Sequence, residues 1–301
     1  MKNSDTENIK KVQKRFSTIS IKKGFISTLL ILIPAFIGFF ILQNELNLSG
    51  TWEGLIIGYI IYVIPFLLII WMFRGSNYSF ISIFTGGSQK VSQIITVIPL
   101  LSISIGMVWM VILLLNLISV ETAGNYLNWI NNAGAFNLGQ DATLLQYVLF
   151  WGLISIVAPV VEEVIFRGIM IERLGAKYSY GRAIVISSAI FGVLHPSPIG
   201  AFIVGVVLSL VYLKTRSLKI PILIHIANNA IAAFFMIVDE RFFFTSSSWE
   251  TVGPYISNAW VGILFFTVGV VWISWYIKEN YQNVMEKEPF KLEIEKTESA
   301  T

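Results

Sequence analysis

Eight apolar segments constrain this chain more than any other feature of its sequence: 24–42, 55–73, 94–120, 144–161, 183–195, 198–213, 220–238 and 258–277. Most approach or exceed the ~20 residues a helix needs to cross ~30 Å of hydrocarbon. Lipid offers no hydrogen-bond partner to a backbone N–H or C=O, so such segments must be helices rather than open strands. Composition agrees, with 55% hydrophobic and 13% charged residues, against about 25% charged in a soluble domain. The expected fold class is an all-α, polytopic integral membrane protein with about eight transmembrane helices. Aromatic residues gather at segment ends, as in Trp71-Met72-Phe73 and Phe242-Phe243-Phe244, the pattern of an interfacial belt.

Charge orients these segments. With the N-terminus inside and eight alternating crossings, the inside stretches are 1–23, 74–93, 162–182, 214–219 and 278–301. They hold seven, two, four, three and four of the 21 Lys and Arg residues, and Arg241 alone falls outside. The positive-inside rule asks for that asymmetry, so both termini are expected to be cytosolic in a cell membrane. The run Lys10-Lys11-Val12-Gln13-Lys14-Arg15 reads as a topology signal, with contact to anionic lipid as the other reading. The net charge of +3 calls for no nucleic-acid partner. No small-x-small cleavage site follows Leu42, so the first segment is read as an anchor rather than a signal peptide.

The expected organisation is a basic tail (1–23), three scaffold helices with their loops (24–143), a chemical core of four helices (144–238), an extracytoplasmic loop (239–257), a last helix (258–277) and a disordered tail (278–301). The first three segments contain Pro34, Pro65 and Pro99 but no intramembrane charge, which marks them as scaffold. The chain has no cysteine, which removes disulfides, thiolate nucleophiles and cysteine metal sites.

Polar residues at membrane depth are costly and for that reason informative. Both histidines, His195 and His225, lie inside apolar segments, and a third segment ends in Glu162-Glu163. The stretch from Leu144 to about Leu174 contains no breaker and makes one helix of ~45 Å. Within it Glu163 and Arg167 are four apart with the acid first, the better order for an ion pair. That pairing leaves Glu162, ~100° round the helix, as the unpaired carboxylate. The alternative places both glutamates at the solvated end of a span.

His195 precedes Pro196-Ser197-Pro198, and a residue before proline is pushed out of the α region. It should therefore end a helix, with irregular backbone beyond that only protein or a water-lined cavity can accommodate. His225 and Asn229 share one helical face, as a functional pair or as interhelical glue. From the inner ends of their helices, His195 lies ~18 Å in, Glu162 ~17 Å, Asn229 ~14 Å and His225 ~8 Å. These residues can meet at one level.

Several intramembrane hydrolase chemistries are missing their parts. No Gly-x-Ser-Gly setting for a serine nucleophile occurs, the only aspartates are Asp5, Asp141 and Asp239, and neither histidine is followed by glutamate as a His-Glu-x-x-His zinc site requires. A glutamate base with histidine help remains, or an unconventional zinc site formed by Glu162, His195 and His225.

Glu162-Glu163-x-x-x-Arg167, Phe191-x-x-x-His195 and His225-x-x-x-Asn229, in that order on successive helices, resemble the CPBP family of CAAX-processing and bacteriocin-processing or self-immunity proteins, also called intramembrane glutamic endopeptidases. The resemblance covers about 144–238 and implies a CAAX-protease-like helical core. It implies that Glu162 acts as general base on a water that His195 helps orient, and that His225 and Asn229 donate to the oxyanion. Glu163, Arg167 and Phe191 would support the site, with no metal or other cofactor.

The implied partners are the lipid bilayer and a peptide precursor or membrane protein reaching the site from the cytosol or inner leaflet. A composition rich in Ile, Asn and Lys and short of Ala points to a bacterial source, for which a prenylated substrate is not expected. A non-catalytic immunity or signalling protein is the reading from outside the enzymes. A repeat-built transporter fits less well, because the two halves differ in polar content.

Overall fold

The computed structural model describes residues 16, 20–46, 50–73, 91–133, 142–238 and 251–285. The basic run at 10–15, the tail beyond 285, the loops 74–90 and 134–141, the three aspartates, Arg241 and Phe242-Phe243-Phe244 lie outside the described residues. Among the described residues the regular structure is helical: α1 (Ile21–Leu46), α2 (Gly50–Phe73), α3 (Val97–Asn116, entered through a 3-10 turn), α4 (Val120–Ala133), α5 (Leu144–Lys177), α6 (Tyr180–Val193), α7 (Pro198–Thr215), α8 (Lys219–Val238), α9 (Val252–Ser257) and α10 (Ala259–Met285). Helices α1, α2, α3, α5, α7 and α10 are long and apolar enough to cross a membrane, and α6 and α8 contribute shorter apolar stretches. The protein is thus an all-α, multi-pass membrane protein.

The third apolar segment does not run to residue 120. Helix α3 stops at Asn116, the chain turns through 117–119, and α4 begins. The Ser119 hydroxyl accepts the Thr122 N–H at 3.0 Å, a local bond that starts a new helix. Ala123 and Leu127 of α4 bury against Ile112 of α3 and Val252 of α9, while Glu121, Asn125 and Asn128 are exposed. This amphipathic helix covers one end of the bundle.

The long helix expected from residue 144 is present as α5, and its start is a capping box. Thr143 accepts the Gln146 N–H, and the Gln146 side chain accepts the Thr143 N–H at 2.8 Å. It widens twice into π turns, at Leu153–Val157 and Val164–Met170, on either side of Glu162-Glu163. Pro159 explains the first. Within that turn the Ala158 N–H bonds the carbonyl of Leu153, five residues back. The next donor in the series would be Pro159, which has no N–H, so the Ile154 carbonyl needs a partner from elsewhere.

Helix α7 is central: Val207, Leu208, Leu210, Val211 and Leu213 are wholly buried. Helix α1 is its opposite, packed on α2 and otherwise facing outward. Helices α6 and α7 form a tight hairpin, with Pro198 opening α7 and Gly205 facing Ser188. A Cβ at Gly205 would fall 2.9 Å from the Ser188 Cβ, so the approach requires glycine, as at close membrane-helix crossings. Helix α7 ends in Arg216, held at φ 54°.

Candidate active site

Three helices and one linker bring the predicted residues together. Glu162, Glu163 and Arg167 come from α5, Phe191 from the last turn of α6, His195 from the linker after it, and His225 and Asn229 from α8. Helix α6 stops at Val193, two residues short of His195, as the following proline requires. The freed imidazole folds back, and its Nδ1 lies 2.6 Å from the Phe191 carbonyl. A carbonyl can only accept, so Nδ1 carries the proton and Nε2 is left to face the site. That Nε2 stands 3.8 Å from Glu162 Oε2.

His225 approaches the same oxygen from the other side, its Nε2 3.7 Å from Glu162 Oε2. Its Nδ1 lies 2.8 Å from Glu163 Oε1. The expected ion pair of Glu163 with Arg167 is present at 2.9 Å, so Glu163 serves two partners, Arg167 and His225. The Arg167 guanidinium is buried, sits 4.5 Å from the centre of the Phe191 ring, and reaches the Gly205 carbonyl at 3.4 Å. Phe191 in turn lies against His195, with ring centres 4.1 Å apart. A cation on an aromatic face is attractive. This stack therefore ties α5, α6 and α7 into one support beneath the imidazoles.

Asn229 lines the site, and its Nδ2 donates to the Ile154 carbonyl at 3.0 Å. That carbonyl is the one left without a backbone donor by Pro159, so Asn229 braces the widened turn of the helix that carries Glu162. Asn228, absent from the sequence expectations, donates from its Nδ2 to Asn229 Oδ1 at 3.3 Å.

One further contact lies beyond what the sequence suggested. The Tyr62 hydroxyl of α2 donates to Glu162 Oε1 at 2.9 Å, so the second span is not scaffold alone. A cavity of about 230 Å³ adjoins the cluster, lined by Phe191, His195, Ser197, His225, Asn228 and Asn229 among others. Glu162 is 8% exposed, and its Oε2 has no hydrogen-bond partner among the described residues. Among the described residues no group of three or more His, Asp or Glu side chains is arranged to hold a metal ion.

This helical core and its polar cluster coincide with a known domain. Residues 144–231 match the family described as Type II CAAX prenyl endopeptidase Rce1-like, and every one of the predicted site residues falls within that stretch. Over this stretch the chain is similar to the CAAX-protease family. Over 90 residues it is 31% identical to YdiL of Bacillus subtilis (strain 168), named as a membrane peptidase; the match covers 29% of this chain and 37% of that protein. Over 103 residues it is 31% identical to the membrane-embedded CAAX protease MroQ of Staphylococcus aureus (strain USA300), covering 31% of this chain and 41% of that protein. The aligned stretch thus spans about two fifths of the length of either relative. No solved structure matches the chain.

Proposed function

We propose that this protein is an intramembrane endopeptidase in which Glu162, assisted by His195, activates a water for attack on a peptide carbonyl. One observation carries the reading: Glu162 Oε2, buried and without a hydrogen-bond partner, faces Nε2 of both His195 and His225 at 3.8 and 3.7 Å. These separations exceed a direct hydrogen bond, yet both partners of either pair can reach one water at about 2.8 Å. Glu162 takes the water's proton and returns it to the leaving amine, while the unprotonated His195 Nε2 accepts the water's other O–H as a hydrogen bond and orients it.

His225 is built for the opposite task. Its Nδ1–H is held by the Glu163 carboxylate at 2.8 Å, and Nε2 can donate when it carries a proton. Nε2 then stabilises the oxyanion of the tetrahedral intermediate. Asn229 has a second N–H beyond the one on Ile154, which supports a share in that task. Glu163, Arg167 and Phe191 hold the geometry.

The substrate class that fits is a peptide precursor or a membrane-associated protein. Of the 21 Lys and Arg residues, 20 fall on one side of the eight-crossing arrangement. That asymmetry supports cytosolic termini and entry from the cytosol or inner leaflet. Reporter fusions at positions 45 and 130 should then report outside, and at 85 and 215 inside; two reversals overturn the arrangement. The reaction itself is tested with the full chain in phospholipid vesicles and a library of quenched-fluorescent peptides. Wild type should cleave a subset, and Glu162→Ala should cleave none at equal protein level. Full cleavage by Glu162→Ala would remove Glu162 from the reaction, and absence of cleavage by wild type would make a non-catalytic membrane protein the better account.

A further inference from the structure

Helix α2 lies outside the 144–231 stretch that carries the family match, yet it reaches the candidate catalytic carboxylate. Leu55, Tyr62 and Ile69 recur every seven residues and share one face of α2. The outer two are buried: Leu55 packs with Tyr147 and Phe150 of α5, and Ile69 joins the main core. Tyr62 sits at the middle of this seam. One turn earlier Tyr59 donates to the Leu149 carbonyl of α5 at 2.9 Å. The two tyrosines therefore bond the same neighbouring helix, but Tyr59 meets backbone and Tyr62 meets Glu162.

The geometry points to Tyr62 as a positioning residue for Glu162, an assignment that rests on the proposed reaction. By donating to Oε1 at 2.9 Å, the phenol takes up one carboxylate oxygen and fixes the plane of the group. Oε2 is thereby the working oxygen, aimed between the two imidazoles. Among the described residues no other hydrogen bond holds this flexible carboxylate: both imidazoles stand beyond direct bonding distance. The catalytic unit then extends beyond the family-matched stretch to include the second span. The docking of α2 on α5 becomes part of arming the site.

The test compares Tyr62→Phe with Tyr59→Phe in the full chain reconstituted in phosphatidylethanolamine–phosphatidylglycerol vesicles, with a peptide from the library that wild type cleaves. Each substitution removes one hydroxyl at the α2–α5 contact and keeps the ring. Tyr62→Phe should lower kcat by about 10- to 100-fold with KM within about twofold, the signature of a misaimed catalytic group. Tyr59→Phe should leave kcat within about twofold. The assignment is overturned if Tyr62→Phe keeps wild-type kcat, if both variants lose kcat equally, or if Tyr62→Phe fails to accumulate, since the phenol is then only an element of packing. Glu162→Gln run alongside separates the two levels: full activity there sinks the proposed reaction, whereas an inactive Glu162→Gln beside a fully active Tyr62→Phe sinks only this assignment.

Discussion

Of the three buried carboxylates on helix α5, two that lie ten residues apart, Glu162 and Glu172, are treated in opposite ways. Glu172 is fully buried, and both of its oxygens are occupied. Tyr180 donates to Oε2 at 3.0 Å, while Tyr212 and Arg216 donate to Oε1 at 2.8 and 3.1 Å. Arg216 also bonds the Tyr180 hydroxyl at 2.9 Å, and its left-handed backbone turns the chain back over the cluster. Among the described residues Glu162 has a single donor, Tyr62 on Oε1, and an open Oε2 between two imidazoles. Burial alone does not distinguish them. A buried charge whose lone pairs are all satisfied pins elements together, here α5, α6, α7 and the turn after α7. One left half-satisfied between two imidazoles keeps a lone pair open to a further partner.

The comparison can be broken or sharpened by substitution. The largest effect is expected at the open site: His195→Ala should cut cleavage by about 10²- to 10⁴-fold with protein level unchanged in immunoblots. Cleavage near wild type would remove His195 from the proposed reaction. Arg167→Ala comes next. It strands Glu163, which is fully buried, and the loss of one partner of a buried pair costs about 3–5 kcal/mol, so abundance and thermal midpoint should fall first. Glu172→Gln keeps the shape but loses the charge, and should destabilise by about 1–3 kcal/mol while kcat per folded molecule stays within about twofold. A stable but inactive Glu172→Gln would mean that the second cluster belongs to the reaction. The smallest effect is expected on chelation, because Asn229, a neutral amide bonded to Ile154, stands where a further metal ligand would be wanted. Activity should survive a strong chelator; loss restored by zinc would instead favour the Glu162–His195–His225 metal reading.

The residues that meet around Glu162 were legible because each is a polar interruption of an apolar segment. Glu162, Glu163, Arg167, His195, His225 and Asn229 stand out in that way, and Pro196 announces the break after His195. Phe191 is visible only through the spacing of its motif, since a phenylalanine in an apolar helix carries no signal of its own. Tyr62 fails to stand out for the same reason: a tyrosine in a span is as readily an interfacial aromatic. Glu172 and Arg216 lie near segment ends, where charge is ordinary, and Tyr180 and Tyr212 look like apolar content. Their convergence depends on the α6–α7 hairpin bringing 172, 180, 212 and 216 together, which no local pattern encodes. Helix α4 was hidden because apolar residues continue through Leu117-Ile118 into Val120, although the pairing of Ser119 with Thr122 is a cap that could have marked it. The π turns leave one trace in the sequence, Pro159. The bond from Asn229 to Ile154 depends on that missing N–H and could not be read without the fold.

The most direct test sets the two carboxylates side by side. Glu162→Gln and Glu172→Gln would be purified, and each measured for thermal midpoint and for kcat per folded molecule on the same peptide. A crossed result is predicted: Glu162→Gln keeps the wild-type midpoint within a few degrees and loses detectable turnover, while Glu172→Gln melts earlier and turns over normally. If Glu162→Gln turns over at the wild-type rate, the claim that its open oxygen activates the attacking water is wrong.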